Sequence, residues 1–104
     1  MLGISSTNSV DLLLMGVLRY GPAHGYAIIA ALRERSSGEF ELAEGTIYPA
    51  LHRLEKAGLI DSSVESVQGR RRRTYALTSR GRKEFTVQRR AWQSHVTHMQ
   101  AVIA

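Results

Sequence analysis

A mainly helical α+β fold is what this sequence predicts: three helices, a two-stranded hairpin and one long closing helix. Three observations predict it. Apolar residues recur at helical spacing in successive stretches before Gly58. The pattern then turns to alternation in "LIDSSVESV" and "TYALT". Beyond Thr78 a helical seam returns and runs nearly to Ala104.

The chain has 104 residues, enough for one small domain. A domain of this size is marginal alone and gains by burying a face against a second copy. Apart from the run "RRRR" there is no low-complexity segment, and no repeat or linker is apparent. Residues 1–78 are expected to form a head and residues 79–104 an arm, within one compact unit.

The first helix is predicted over Thr7 to Tyr20, with "STNS" supplying cap candidates. Val10, Leu12, Leu13, Leu14, Met15, Val17 and Leu18 cover nearly its whole circumference. A helix that is apolar all round in a globular chain is buried on more than one side. One side meets the domain core. A partner subunit is the readiest cover for the other, and we assign Leu12 and Met15 to it.

"YGPAHG" breaks this helix, because Gly and Pro together signal a turn. The second helix follows over His24 to Ser36, with Ile28, Ile29 and Leu32 inward; His24 serves the turn or the helix start. "SSGEFEL" is a loop or a very short strand.

The third helix lies in "GTIYPALHRLEKAGL", Gly45 to Leu59. Ile47, Leu51 and Leu54 repeat on one face. Thr46, Tyr48, Pro49, His52, Arg53 and Lys56 occupy the rest. Pro49 donates no backbone hydrogen bond, so it belongs near the beginning of the helix or at a kink. That places the start near Glu44 to Thr46, and Gly58 stands where a helix stops.

In the next stretch Ile60, Ser62, Val64 and Ser66 share one side of a strand, although Val67 breaks the alternation. Tyr75 and Leu77 share a face of the second strand, and "QGRRRR" joins the two as a hairpin with a strongly basic tip. Thr78 or Ser79 then caps the last helix. About 25 residues at 1.5 Å each make a rod of roughly 38 Å. Along it Phe85, Trp92, Val96, Met99 and Ile103 are spaced 7, 4, 3 and 4 apart, with Arg89 interrupting the seam. So long a helix cannot bury that seam against so small a body, and Phe85, Val96, Met99 and Ile103 are assigned to a dimer interface.

Helix, helix, helix, hairpin, long helix is the order of a winged helix-turn-helix with a C-terminal dimerisation helix. In such a motif the second helix of the pair enters the major groove of DNA, leading with its N-terminal residues. It must bury one stripe and expose another, as the third helix does. The net charge of +5 and pI near 10.2 favour an anionic partner. Nine of the fourteen basic residues fall between Arg70 and Arg90, opposed there only by Glu84.

Candidate DNA contacts are Thr46, Tyr48, Pro49, His52 and Arg53 on the helix and Arg70, Arg71, Arg72 and Arg73 on the wing. Hydroxyls and guanidiniums suit phosphates and base edges. Blander roles stand beside these. Tyr48 packs against the wing, His52 is an ordinary surface histidine, Arg53 pairs with Glu55 or Glu44, and the arginine run is a solubilising tip.

Other classes are poorly served. The absence of cysteine excludes disulfide and thiol chemistry. There is no nucleophile–base pairing, carboxylate dyad or phosphate-cradling glycine loop, so neither an enzyme nor a cofactor is expected. No apolar run spans a bilayer, and "MLGISSTNS" lacks the regions of a signal peptide, so a cytoplasmic protein is expected. The basic start of the last helix only faintly suits a membrane surface. The main alternative is a winged helix that docks a protein rather than DNA.

The sequence resembles the PadR family of bacterial transcriptional regulators, through "LLLMGVLRYGPAHGYAI", "LAEGTIYPALHRLEKAGLI" and "GRRRRTYALTSRGR". The single short helix after the wing is similar to the small subgroup of that family. The resemblance implies a homodimeric repressor joined through its terminal helices and bound to double-stranded DNA at an inverted-repeat operator. It also implies that Tyr26, Thr46, Tyr48 and the wing arginines face DNA; packing beside Pro22 is the alternative for Tyr26. One departure is Ala43, where many relatives have a Ser or Asn cap.

Family members commonly release DNA on binding a ligand. The resemblance therefore implies a small aromatic or hydrophobic effector at the dimer interface, with Trp92, the one tryptophan, stacking against it. The plainer role for Trp92 is a packing anchor. His95 and His98, three residues apart, are a weak metal candidate, since no cysteine or carboxylate supports them.

Overall fold

The computed structural model of the chain describes residues 6–104, with side chains from Ser9 onward. Its elements are α1 (Ser6–Leu18), β1 (Ala23–His24), α2 (Gly25–Arg35), α3 (Glu44–Lys56), β2 (Ile60–Val67), β3 (Arg70–Leu77) and α4 (Ser79–Ile103). This is a winged helix carrying one long terminal helix. The "STNS" stretch expected to cap α1 lies inside that helix instead.

The core is built where the apolar stripes meet. Leu14, Met15 and Leu18 of α1 pack with Ile28 of α2, Ile47, Leu51 and Leu54 of α3, and Ile60, Tyr75 and Leu77 of the sheet. Met15 is fully buried within its own chain. It has no surface to offer a partner, which corrects its assignment to a subunit interface. Phe85 is corrected likewise: it is buried and lies against Gly16 of α1. The apolar girth of α1 is thus taken up largely by its own domain, and Leu12 and Leu13 are left half-buried.

The sheet differs from expectation in two ways. It has three strands in the order β1-β3-β2, all antiparallel, because Ala23 and His24 in the predicted turn pair with Tyr75 and Thr74. The hairpin connection is only Gln68 and Gly69, whose φ of 52° and 77° are those of a type I′ turn. All four arginines therefore belong to β3, paired from Arg70↔Val67 to Arg73↔Val64. "SSGEFEL" forms no strand.

Helix ends follow local chemistry. His24 caps α2, its Nδ1 accepting from the Ala27 N–H at 3.3 Å. Gly58, at φ 78°, closes α3: the Gly58 N–H reaches the Glu55 carbonyl and the Leu59 N–H the Leu54 carbonyl, both at 3.0 Å. That is the Schellman arrangement, and it turns the chain into β2. Thr78 caps α4, its hydroxyl accepting from the Gly81 N–H at 3.0 Å.

The first turn of α4 is pressed onto Leu59, in the link between α3 and β2. A Cβ at position 81 would overlap the Leu59 carbonyl. That same carbonyl accepts from the Thr78 N–H and hydroxyl, both at 3.1 Å. The stretch "TYALTSRG" is thereby explained: Tyr75 and Leu77 face the core, Thr78 caps and Gly81 permits contact. Further along, α4 leaves the body. Trp92, Met99, Val102 and Ile103 are exposed and Val96 is half-buried.

Candidate nucleic-acid interface

The third helix has the two faces its spacing predicts. Ile47, Ala50, Leu51 and Leu54 are buried, while Thr46, Tyr48, Pro49, His52, Arg53 and Lys56 are exposed. Pro49 sits in the second turn rather than the first. The carbonyl it leaves without an i+4 donor is that of Gly45, at the open end of the helix. No side chain caps this end, because Ala43 has none to offer. Among the described residues, a Cβ built on Gly45 meets nothing within 4 Å. Packing inside the chain therefore does not demand glycine there, and φ does not either. What the glycine provides is an unobstructed approach to the first N–H groups of the helix.

Tyr48 leans back from this end across Gly25, whose missing side chain makes room for the ring. It remains 37% exposed. With Tyr26, His24 and Gly25 it forms one wall of a groove of about 470 Å³, and the four wing arginines and Tyr75 form the other. Tyr26 is more open still, at 69% exposure. Burial raises the Tyr48 phenol above its usual pKa, with Glu44 adding to the effect; burial also raises Tyr75, against the pull of Arg73. Both phenols thus remain protonated donors at neutral pH.

The wing arginines are not equivalent. Cross-strand pairing puts Arg71 and Arg73 on the Tyr75 face and Arg70 and Arg72 on the other. Arg73 donates to the Ser62 hydroxyl at 2.9 Å, and Ser62 donates in turn to Glu55 of α3 at 2.6 Å. This relay ties the wing to the end of α3. Arg72 approaches Glu65 at 3.9 Å, and Glu65 also accepts from Thr74. Among the described residues, no carboxylate lies within salt-bridge distance of Arg70 or Arg71.

The predicted residues are only partly brought together. Tyr26, Tyr48 and Arg70 to Arg73 share the groove, while Thr46, Pro49 and His52 lie on the exposed face of α3 outside it. Arg53 is corrected. It is held at 3.0 Å by Asp11 of α1, not by Glu44 or Glu55. Gly25, Glu55 and Ser62 were missed, for their roles depend on neighbours far along the chain. A glycine directly before an exposed tyrosine was the one visible signal. His95 stacks at a tilt on Trp92, ring centres 5.8 Å apart, and among the described residues no third metal-binding group joins His95 and His98.

The model of the transcriptional regulator PadR-like family matches residues 14–87, a span running from the core of α1 through the wing into α4. The chain belongs to this family. It is a family of transcriptional regulators, not of enzymes. Transcriptional regulator Rv3488 of Mycobacterium tuberculosis (strain ATCC 25618 / H37Rv) is 46% identical over 59 residues, covering 57% of this chain and 55% of that protein. The chain thus spans about half the length of that relative. A PadR family transcription regulator from hypervirulent Clostridium difficile R20291 superposes with a TM-score of 0.82 at 33% identity, covering 91% of this chain and 98% of the other. Bacillus subtilis PadR, crystallised in complex with operator DNA, superposes with a TM-score of 0.67 at 26% identity over 74% of this chain and 44% of that one. No helix among the described residues is long and apolar enough to cross a membrane.

Proposed function

We propose that this PadR-like chain is a DNA-binding repressor that acts in the cytoplasm as a homodimer on an inverted-repeat operator. The observation that carries this reading is one surface. Tyr26 of α2, Tyr48 of α3 and the arginine-rich strand β3 line one groove, and that combination suits a duplex flanked by phosphates. The operator complex of Bacillus subtilis PadR supports it. Thr46, Pro49 and His52 read or flank bases, Tyr26 and Tyr48 meet phosphates, and the wing arginines neutralise the backbone.

Residues 79–104 act as the dimerisation arm in this reading, with Leu12, Val96, Met99 and Ile103 covered by the second copy. Trp92 stands beside the cavity that a small aromatic or hydrophobic effector would enter. No cofactor is required.

Selection of genomic fragments with the purified chain, followed by footprinting, tests the proposal. The expected result is a palindrome whose half-sites lie about one helical turn, roughly 34–36 Å, apart. Failure to enrich any duplex at about 100 mM salt, with capture of an acidic protein instead, would convert the reading to a protein-docking module.

Gly45→Ala sharpens the test because two effects oppose each other. Exchanging glycine for alanine within a helix should raise stability by about 1 kcal/mol. The added methyl would stand where a phosphate must approach, so operator affinity should fall about tenfold. Thermal melts and gel shifts on one protein preparation read both. A variant that is more stable yet binds as well as the parent would remove the α3 end from the interface.

A further inference from the structure

Toward its tip the wing loses its third strand. β1 pairs only with Tyr75 and Thr74, so in the sheet residues 70–73 of β3 have β2 as their one neighbour among the described residues. A two-stranded ribbon is marginal by itself and free to swing. Three residues at about 3.4 Å each set Arg70 roughly 10 Å beyond Arg73. A swing of about 20° at Arg73 would move Arg70 by about 3.5 Å, more than a charge-assisted hydrogen bond to a phosphate tolerates. The ribbon needs a tie at the point where β1 stops.

The Glu55–Ser62–Arg73 relay stands at that point. Arg73 is the first residue of β3 beyond the pairing with β1, and it shares a face with Tyr75, which is buried against the core. Val64 lies directly across from it, and its guanidinium reaches diagonally back to Ser62, two residues nearer the body. Ser62 and Glu55 are both half-buried. A guanidinium only donates and a carboxylate only accepts, whereas a hydroxyl does both. Ser62 is therefore the member through which the other two are joined. Burial chiefly raises the Tyr75 phenol, and the two ends of the relay then act on it oppositely, Arg73 lowering its pKa and Glu55 raising it.

We infer that Glu55 and Ser62 are positioning residues for DNA binding, with Arg73 as their anchor on the wing, turned inward rather than onto a phosphate. The inference rests on the DNA-binding reading and narrows it, leaving Arg70 and Arg71 as the free cations of the wing. The relay sets the angle between α3, which enters the groove, and the strand that carries those two arginines. The rival role for Arg73 is a direct phosphate contact, made by abandoning Ser62 once DNA arrives.

Affinity for the selected operator is measured across a salt series with the full chain and its variants. Ser62→Ala and Arg73→Met should each weaken binding about fivefold with an unaltered salt slope. Combined, they should weaken it no more than either alone, because both break one relay. Arg70→Met with Arg71→Met should lower the slope by about 3.6, for two phosphates in each of two wings at roughly 0.9 apiece. Ser62→Thr keeps the hydroxyl and should bind as the parent does. Hydrogen exchange of the free protein gives a readout that DNA does not enter. Wing amides of Ser62→Ala should exchange about fivefold faster than those of the parent or of Ser62→Thr. A slope lower by about 1.8 in Arg73→Met overturns the inference, since one phosphate per wing would then be its partner. Additive losses in the combined variant, parent-like binding by Ser62→Ala or unchanged wing exchange overturn it too. A parent that binds no duplex defeats the DNA-binding reading and leaves exchange to judge the tie, whereas a parent that binds while these variants fail defeats the inference alone.

Discussion

Alanine in place of Arg70, Arg71, Arg72 and Arg73 together should reduce operator affinity by about two orders of magnitude and flatten its salt dependence. Alternation along β3 lets about two arginines of each wing reach phosphate, hence about four in a dimer. At roughly 0.9 log units per phosphate neutralised, the slope of log affinity against log salt should lose about 3.6. The loss should be unevenly shared. Arg72 stands near Glu65, and Arg73 is held by the Ser62–Glu55 relay, whereas among the described residues no carboxylate lies within salt-bridge distance of Arg70 or Arg71. Arg70→Ala with Arg71→Ala should therefore remove more of the slope than Arg72→Ala with Arg73→Ala. A quadruple variant that bound its operator with an unaltered slope would take the wing off the DNA.

Gly81→Ala should be the most damaging single methyl that can be added to this chain. The new Cβ would overlap the Leu59 carbonyl and stand 3.0 Å from Leu77 Cδ2. Leu77 could shift, but the carbonyl cannot retreat freely. It accepts two hydrogen bonds from Thr78, the residue that also caps α4. Relief would separate α4 from Leu59 and weaken both the cap and the link that leads into β2. Overpacking against backbone should cost about 3 kcal/mol. For a domain of this size that lowers the melting temperature by roughly 12–24 °C. Circular dichroism melts decide it, with Gly45→Ala as a control of opposite sign. A Gly81→Ala protein melting within a degree or two of the parent would show that α4 does not press on Leu59.

The two glycines illustrate how far sequence alone reaches. Both lie in the first turn of a helix, and nothing in their immediate neighbours tells them apart. The difference is that Leu59, 22 positions earlier, lies against one of them and none of the described residues lies against the other. Arg53 makes the same point. Its helical position offered Glu44 and Glu55 as partners, but the crossing of α1 over α3 supplied Asp11 instead.

Periodicity, turn chemistry and charge were enough, by themselves, to determine the order of elements, the buried stripe of α3, the stop at Gly58 and the basic wing. Each is a local property, written within one or two turns or a single strand. The tertiary structure alone decided that Met15 and Phe85 belong to the core, that β1 joins the sheet and that Arg73 is tethered to α3. It also decided that Arg19, just past α1, meets Arg35 of α2 and Arg89 of α4 around Tyr20. Those outcomes depend on which distant surfaces come into contact, and an apolar or charged residue carries no mark of which neighbour will cover it.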